Sequence, residues 1–358
     1  MNILFLHSSR HDCAPWIDGS TRYRCYHLAE SLRHKGHLAD IASLSEIRKE
    51  QLPLYDVVFV LRPRPGKTLE QILKACNKFR IRTIADVDDL VFMPRHAALS
   101  PSVLNKQATE FSVRSQFKRN LEAMLYFDEV TVATEPLKQF WIEQSGRRQV
   151  TVIPNGLSRR WLTTPVQRRQ NKQENNQTIT YLPGSNSHNR DFAEISDILS
   201  ETLNTHKDAR LLIVGTLHTD DKQFPAARLS RSELVDYYKL PQVIADSTVT
   251  IAPLVQSPFT HAKSHLKFIE SAAFGTPAIC SPTHDICRHV STGLYIANTH
   301  EDWYNALNRR LEKSIDTRES QSMQNMVRRT ATADQSADLL LTHLENSIDN
   351  SFKQAAGQ

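Results

Sequence analysis

KSHLKFIESAAFGTPAIC, residues 263–280, reads as a helix, a tight glycine turn and a buried strand. Ser264 is placed to cap the helix, and Leu266, Ile269 and Ala273 recur at helical spacing. Gly275 makes the turn, and Pro277 to Cys280 carry the chain into a covered strand. A helix running straight into a buried strand is the unit of a parallel sheet with crossover helices. Lys263, Lys267 and Glu270 stand at i, i+4 and i+7 and share another face of that helix. A helix N-terminus with two ammonium groups suits a diphosphate. A carboxylate one turn further on accepts hydrogen bonds from sugar or ribose hydroxyls. The face is either a site for a phosphate-activated sugar or a solvated charged surface.

Outward from this stretch the same beat recurs. Strand candidates fall at residues 2–7, 37–42, 56–61, 83–86, 129–133 and 149–153, then at 178–182, 210–214, 248–252, 277–280 and 293–297. Helical patterns stand between them: from Ser20 to a stop at Gly36, at 68–79, 105–125, 136–144 and 191–204, in a short piece from Leu234, and from about 300 onward. Residues 158–177 are rich in Arg, Gln and Asn and lack apolar periodicity, as a linker would. The expected fold class is α/β, with two doubly wound Rossmann-like domains facing across a cleft. The expected division is an N-terminal domain at 1–157, a linker at 158–177, a C-terminal domain at 178–325, and a final helix and tail at 326–358 packing back on the first domain.

Composition agrees with an ordinary enzyme. The chain has 358 residues, 40% hydrophobic and 23% charged, which suits two globular domains. No apolar run approaches the roughly 20 residues of a membrane span, and the N-terminus reads as a first strand rather than a signal peptide. Five cysteines (Cys13, Cys25, Cys76, Cys280, Cys287) form no CxxC pair, as expected of reduced thiols in a cytoplasmic protein. A net charge of +5 suits anionic ligands, or contact with the inner face of a membrane. Nucleic acid is not an expected partner, because no zinc knuckle, RNA-recognition signature or aromatic–basic ribbon is present. The basic pairs Arg159-Arg160, Arg168-Arg169 and Arg309-Arg310 read as solvated surface.

The loops at the strand ends carry the remaining candidates. No Gly-x-Gly-x-x-Gly follows the first strand, against a simple nicotinamide dehydrogenase. Instead Gly19-Ser-Thr-Arg22-Tyr-Arg24 opens a helix, and Arg22 or Arg24 could meet an anionic donor or acceptor, or be exposed arginines at a helix start. Asp88 and Asp89 end a short strand; they would bind acceptor hydroxyls, supply a general base, or cap a helix. No metal site is expected there, since no third acidic ligand stands nearby. The loop Gly184-Ser185-Asn-Ser-His188-Asn-Arg190 offers backbone N–H groups and charge to a phosphate, or is a plain capped loop. Among the isolated histidines only His7, at the end of the first strand, lies where a catalytic group could act.

The ordered set resembles the group 1 glycosyltransferases (family 4 and its relatives) of the GT-B fold, polysaccharide-biosynthesis type. The matching pieces are Gly19–Arg24, Tyr55–Arg62, Asp86–Phe92, Val152–Gly156, Gly184–His188, Ile251–Pro253 and Lys263–Pro277, spread over some 280 residues. The resemblance implies phosphate contacts from Lys263 and the Gly184–Arg190 loop, and Glu270 on the donor's ribose hydroxyls. It implies transfer that needs no metal or other cofactor, with two domains closing on a sugar nucleotide. The chain departs from the family at the Glu-x7-Glu pair. Counting back from Glu270 gives Ala262, so the first carboxylate, which contacts the transferred sugar, is absent.

Together these readings describe an enzyme that moves a sugar from a sugar-diphosphate donor to a hydroxyl of a glycan or lipid-linked acceptor in envelope polysaccharide synthesis. Gly184, Ser185, His188, Arg190, Lys263, Ser264, Lys267 and Glu270 would bind the donor. Gly19, Arg22, Arg24 and Asp88 would bind the acceptor. Asp88, Asp89, Lys263 and Arg190 would take part in the chemistry. The rival readings are a GT-B sugar-nucleotide epimerase, a catalytically silent sugar-nucleotide-binding module and, last, a nucleic-acid-binding protein.

Overall fold

The computed structural model describes residues 1–355 apart from 10, 12, 168–176, 185, 290, 292 and 314–315, with side chains to residue 346 (186 excepted). The chain forms two compact units. The first comprises residues 1–94, 115–159 and those from Ala331 onward; the second comprises 95–114 and 160–330.

The first unit is built on a parallel sheet of β1 (Asn2–His7), β2 (Leu38–Ser43), β3 (Val57–Leu61), β4 (Arg82–Val87), β5 (Glu129–Val132) and β6 (Val150–Val152). Their order is β2-β1-β3-β4-β5-β6. β3 is VVFVL and buried throughout, because helices cover a parallel sheet on both faces. Phe5 stacks on Phe59 at 5.2 Å between ring centroids, in a core that also takes Ala337, Leu340 and Leu344 from the last helix, Ala333–Ala355. Gly156 lets the chain reach that helix. A Cβ there would lie 2.4 Å from the Thr332 backbone, beside the Leu157–Thr332 bridge. The sheet winds outward in both directions from β1 and β3, so its ligand-binding crevice belongs at their carboxyl ends.

The helix after β1 differs from expectation at its start. Asp18, not Ser20, caps it, accepting the Thr21 N–H at 2.9 Å. A π-helical turn over Arg22–Tyr26 then buries Tyr23, Arg24 and Cys25 in succession.

The second unit holds β7 (Gln177–Tyr181), β8 (Ala209–Val214), β9 (Leu229–Ser232), β10 (Val249–Ala252), β11 (Ala278–Cys280) and β12 (Leu294–Ile296). Their order is β12-β11-β10-β7-β8-β9, all parallel, and the winding reverses between β7 and β10. The opening stretch forms the helix Leu266–Ala273 and β11, with Gly275 at φ +65° between them.

Several elements depart from the sequence reading. The expected helix at 105–125 is a 3-10 turn (Pro94–Leu99), a short helix (Pro101–Leu104) and a longer one (Glu110–Met124). Its front part, 95–114, belongs to the second unit. The expected helix at 191–204 is broken into Asn189–Ala193 and Ser196–Thr205. The front of the expected linker is packed: Trp161 is wholly buried, stacks on Tyr237 at 5.2 Å and donates its indole N–H to the Tyr237 carbonyl. Of the basic pairs, Arg310 is fully buried against Glu319 rather than solvated, while Arg168-Arg169 lies outside the described residues. No described helix is long and apolar enough to cross a membrane.

Candidate functional site

At the winding reversal of the second sheet, the loops after β7 and β10 are joined by side chains. The β7 loop turns at Gly184, exposed at φ +76°, where a side chain would be strained by about 1 kcal/mol. Ser185 lies outside the described residues. His188 Nδ1 lies 2.8 Å from Asp191 Oδ2. Burial lowers the His188 pKa; Asp191 opposes the shift, and the Lys263 and Lys267 charges add to it. Arg190 is exposed, and its backbone N–H donates to Asn105 Oδ1 at 3.1 Å, while Asn105 Nδ2 donates to the Ser187 carbonyl at 2.8 Å.

A chain of hydrogen bonds forms the floor of this region. Asp191 Oδ1 accepts the Val255 N–H (2.8 Å), and the Val255 carbonyl accepts from the Thr260 hydroxyl (2.7 Å). The Thr260 carbonyl accepts the Lys263 N–H (3.1 Å). Ser257 and Thr260 cap the intervening helix, Pro258–His261, reciprocally. Buried polar groups linked in this way hold one arrangement, because each would be costly to leave unpaired.

Two details of the opening stretch are corrected. The helix begins at Leu266, so Lys263 precedes it rather than sharing its face. Ser264 is not the cap; His265 takes that position, and its N–H donates to Asp285 Oδ2 at 3.0 Å. Lys267 is exposed in the first turn, with Nζ 4.0 Å from Oε2 of the buried Glu270. The position of the missing carboxylate, Ala262, is buried.

In the first unit most of the expected ligands are committed internally. Arg24 is buried, with Nε 2.8 Å and Nη2 2.6 Å from the two oxygens of Asp86. Its Nη1 donates to the Ile153 carbonyl and to Asn155 Oδ1. Arg24 is therefore a structural tie between strand ends, not an acceptor ligand. Arg22 turns back on the chain, with Nη1 3.0 Å from the Trp16 carbonyl. Gly19 opens the helix under the Asp18 cap.

Asp88 pairs with Arg62, Nε to Oδ1 at 2.6 Å, and Asp89 Oδ2 stands 3.7 Å from Arg62 Nη2. Burial would raise the Asp88 pKa, but Arg62, the Ser20 hydroxyl and Arg24 outweigh it and hold the carboxyl below its usual value. A carboxylate so stabilised is a weak base and a strong hydrogen-bond acceptor. Neither aspartate caps a helix; Asp89 Oδ1 accepts the Leu90 N–H at 3.0 Å. His7 is buried, and burial lowers its pKa against Glu46 and Asp18. Its Nδ1 accepts the Ser9 N–H, which leaves the ring proton on Nε2.

Arg62, Asn105 and Asp285 were not singled out by sequence reading, and Asp191 was read only as a possible cap of the loop. Arg62 had a signal in its place just after the fully covered β3; the structure adds a strained φ of +46° there. Asn105 and Asp285 had none, since the partners that tie them to the site lie 82 to 85 and 20 residues away respectively. Among the described residues no group of three or more His, Cys, Asp or Glu is arranged to hold a metal ion.

Known proteins can now be compared with this geometry. Solved structures with the same arrangement are GT-B glycosyltransferases. HepE of Anabaena, in complex with UDP and glucose, matches with a TM-score of 0.64 at 12% identity, over 97% of this chain and 100% of that one. A glycosyltransferase from Rickettsia africae matches at 0.62 and 12%, over 96% and 98%. The Escherichia coli trehalose-6-phosphate structure, bound with UDP-2-fluoro glucose, matches at 0.59 and 12%, over 96% and 99%. At such identities the likeness shows the fold, GT-B. Residues 185–313, in the second unit, match the model of the group 1 glycosyl transferases, which supports a transferase. No curated protein sequence matches the chain significantly.

Proposed function

We propose that this transferase takes its sugar from a nucleoside diphosphate donor bound by the second unit, and delivers it to a hydroxyl of a glycan or lipid-linked acceptor in envelope polysaccharide synthesis. The observation that carries the donor reading is the hydrogen-bond chain that links the His188 loop through Asp191, Val255 and Thr260 to Lys263, just ahead of the helix bearing Lys267 and the buried Glu270, at the winding reversal of the sheet. Among the described residues neither Lys263 nor Arg190 makes an ion pair, so their charge is open to a ligand. The UDP bound by HepE supports a uridine nucleotide as the first donor to test.

The diphosphate lies on Lys263, Arg190 and the backbone N–H groups of the Gly184 loop, and Glu270 accepts from the ribose hydroxyls. As the glycosidic bond to the phosphate breaks, these cations stabilise the charge gathering on the leaving group. No resident metal is needed for that task, and activity is expected to survive a chelator. Neutral His188 donates a hydrogen bond without adding charge. Acceptor hydroxyls are held by Asp88 and Asp89 of the first unit. Asp89 is the better candidate for a base, because Asp88 is the more tightly stabilised anion.

We assign the acceptor to the cytoplasmic face of a membrane. Phe111, 82% exposed on the Glu110–Met124 helix, stands near Arg114 and Lys118 on that helix, a combination suited to anionic lipid. Cosedimentation with anionic vesicles, lost in Phe111→Ser, tests this contact. The donor reading is tested by thermal stabilisation with a panel of nucleoside diphosphate sugars. One donor at about 100 times its Kd adds about 2.7 kcal/mol of stability. Lys263→Ala and Glu270→Ala should abolish that gain while remaining folded. A gain unchanged in both variants would overturn the site.

A further inference from the structure

Asp285 lies outside every group assigned to the reaction, in the short helix His284–Cys287 that follows β11. Its side chain is 2% exposed, and both oxygens are in use. Oδ2 accepts the His265 N–H at 3.0 Å and lies 3.4 Å from His265 Nδ1; Oδ1 accepts from Arg288 Nη1 at 3.0 Å. His265 Nδ1 lies in turn 2.7 Å from His289 Nε2. Burial, then the neighbouring His265, lower the His289 pKa to about 4, so its ring is neutral at pH 7.

The position of this carboxylate matters more than its charge. The first N–H groups of a helix have no partner within it. No side chain of the Leu266–Ala273 helix's own cap residue supplies one. Asp285 meets that need from another element. The segment carrying Lys263 is thereby held at two points: the Lys263 N–H on the Thr260 carbonyl at one end, and the His265 N–H on Asp285 at the other. Only Ser264 stands between the two anchored amides. A carboxylate at a helix N-terminus would ordinarily compete with a bound anion. Here Arg288 offsets its charge, so the cap can stay without repelling a diphosphate.

We propose that Asp285 is a positioning residue of the donor site. It fixes the Lys263–His265 turn at the head of the Leu266–Ala273 helix, and so sets where the Lys263 ammonium stands relative to Glu270. This inference rests on the donor reading above.

The test is UDP affinity by titration calorimetry, with donor KM and kcat, in folded variants. Asp285→Ala is expected to bind UDP about tenfold more weakly, as for a lost charge-assisted hydrogen bond. Asp285→Asn, which keeps an oxygen for the His265 N–H, should stay within about threefold of wild type. Asp285→Glu keeps the charge but displaces it by a methylene, and should weaken UDP several-fold. KM for the donor should move more than kcat. If Asp285→Ala does not fold, Asp285→Glu decides, and wild-type affinity in it overturns the proposal. A purely structural residue would lower the melting temperature and leave the UDP affinity of folded protein unchanged. Lys263→Ala, measured alongside, separates the two readings. Wild-type UDP affinity in Lys263→Ala sinks the donor site itself. Weak binding there, with wild-type binding in Asp285→Ala and Asp285→Glu, sinks only the role of Asp285.

Discussion

Both sheets end in a cluster of charges where their winding reverses, yet the two clusters are built on opposite terms. In the first unit two guanidinium groups meet carboxylates of their own unit: Arg24 with Asp86, and Arg62 with Asp88. In the second unit Lys263 and Arg190 make no such pair among the described residues, and Asp191 and Asp285 each give one oxygen to a backbone N–H and the other to a different side chain, His188 and Arg288. Charges closed on each other hold strand ends in register. Charges left open give a ligand something to bind. A basic residue at a strand end is thus a poor guide to function until its partner is known.

The comparison predicts that mutations in the two clusters fail in different ways. The largest effect belongs to the first unit. Arg24→Ala leaves Asp86 buried without its counter-ion, and should cost about 3–5 kcal/mol in chemical denaturation. A wild-type unfolding midpoint would show that the tie is not structural. In the second unit Lys263→Ala should lower kcat/KM on the order of a hundredfold, by lost stabilisation of the leaving group, with the midpoint unmoved. A large loss of stability there would erase the distinction between the clusters.

Acid sharpens the contrast further. His27 of the first unit is fully buried, with Nδ1 3.0 Å from the Gly156 carbonyl, and burial lowers its pKa to about 3. An unfolded chain takes up that proton near 6.5. The stability from neutral His27 is therefore complete above pH 6.5 and is lost as pH falls toward 3. At pH 5 the loss is about 2 kcal/mol. His27→Asn, which keeps a donor for the carbonyl, should flatten that part of the stability–pH curve; an unchanged slope would exclude His27 as its source. The smallest effect is expected at Gly184→Ala. Nothing crowds a Cβ there, so the cost is about 1 kcal/mol of backbone strain, with donor affinity weakened as the loop shifts. Equal donor affinity would remove that loop from the phosphate site.

How far the sequence could be read follows the same physics. Strands such as β1 and β3 were legible because a parallel sheet covers them on both faces and leaves an unbroken apolar run. β9 was missed because it is an edge strand, LSRS, with polar residues facing out. The break at Glu194–Ile195 and the grouping of residues 95–114 with the second unit are tertiary in origin, and no local pattern announces them. At the site, the spacing placed Lys267 and Glu270 on one helix, as found, but Lys263 precedes that helix rather than sharing its face. Arg24 was misread because its partners lie 62, 129 and 131 residues away, and distance in sequence hides whether a charge is closed or open. Ser264 looked like a cap by residue type, but a carboxylate 20 residues further on took the His265 N–H instead.

The return of the last helix to the first core has a consequence for the order of events during synthesis. Ala337, Leu340 and Leu344 fill space beside Ile3, Leu28 and Phe59. A ribosome delivers the chain from the N-terminus, so these contacts cannot form until residues up to Leu344 have emerged. The second unit, whose residues end at Thr330, has its full complement earlier. The first unit is begun first and finished last. Until then its apolar face waits, and a chaperone that shields exposed apolar surface would find its target there rather than in the second unit.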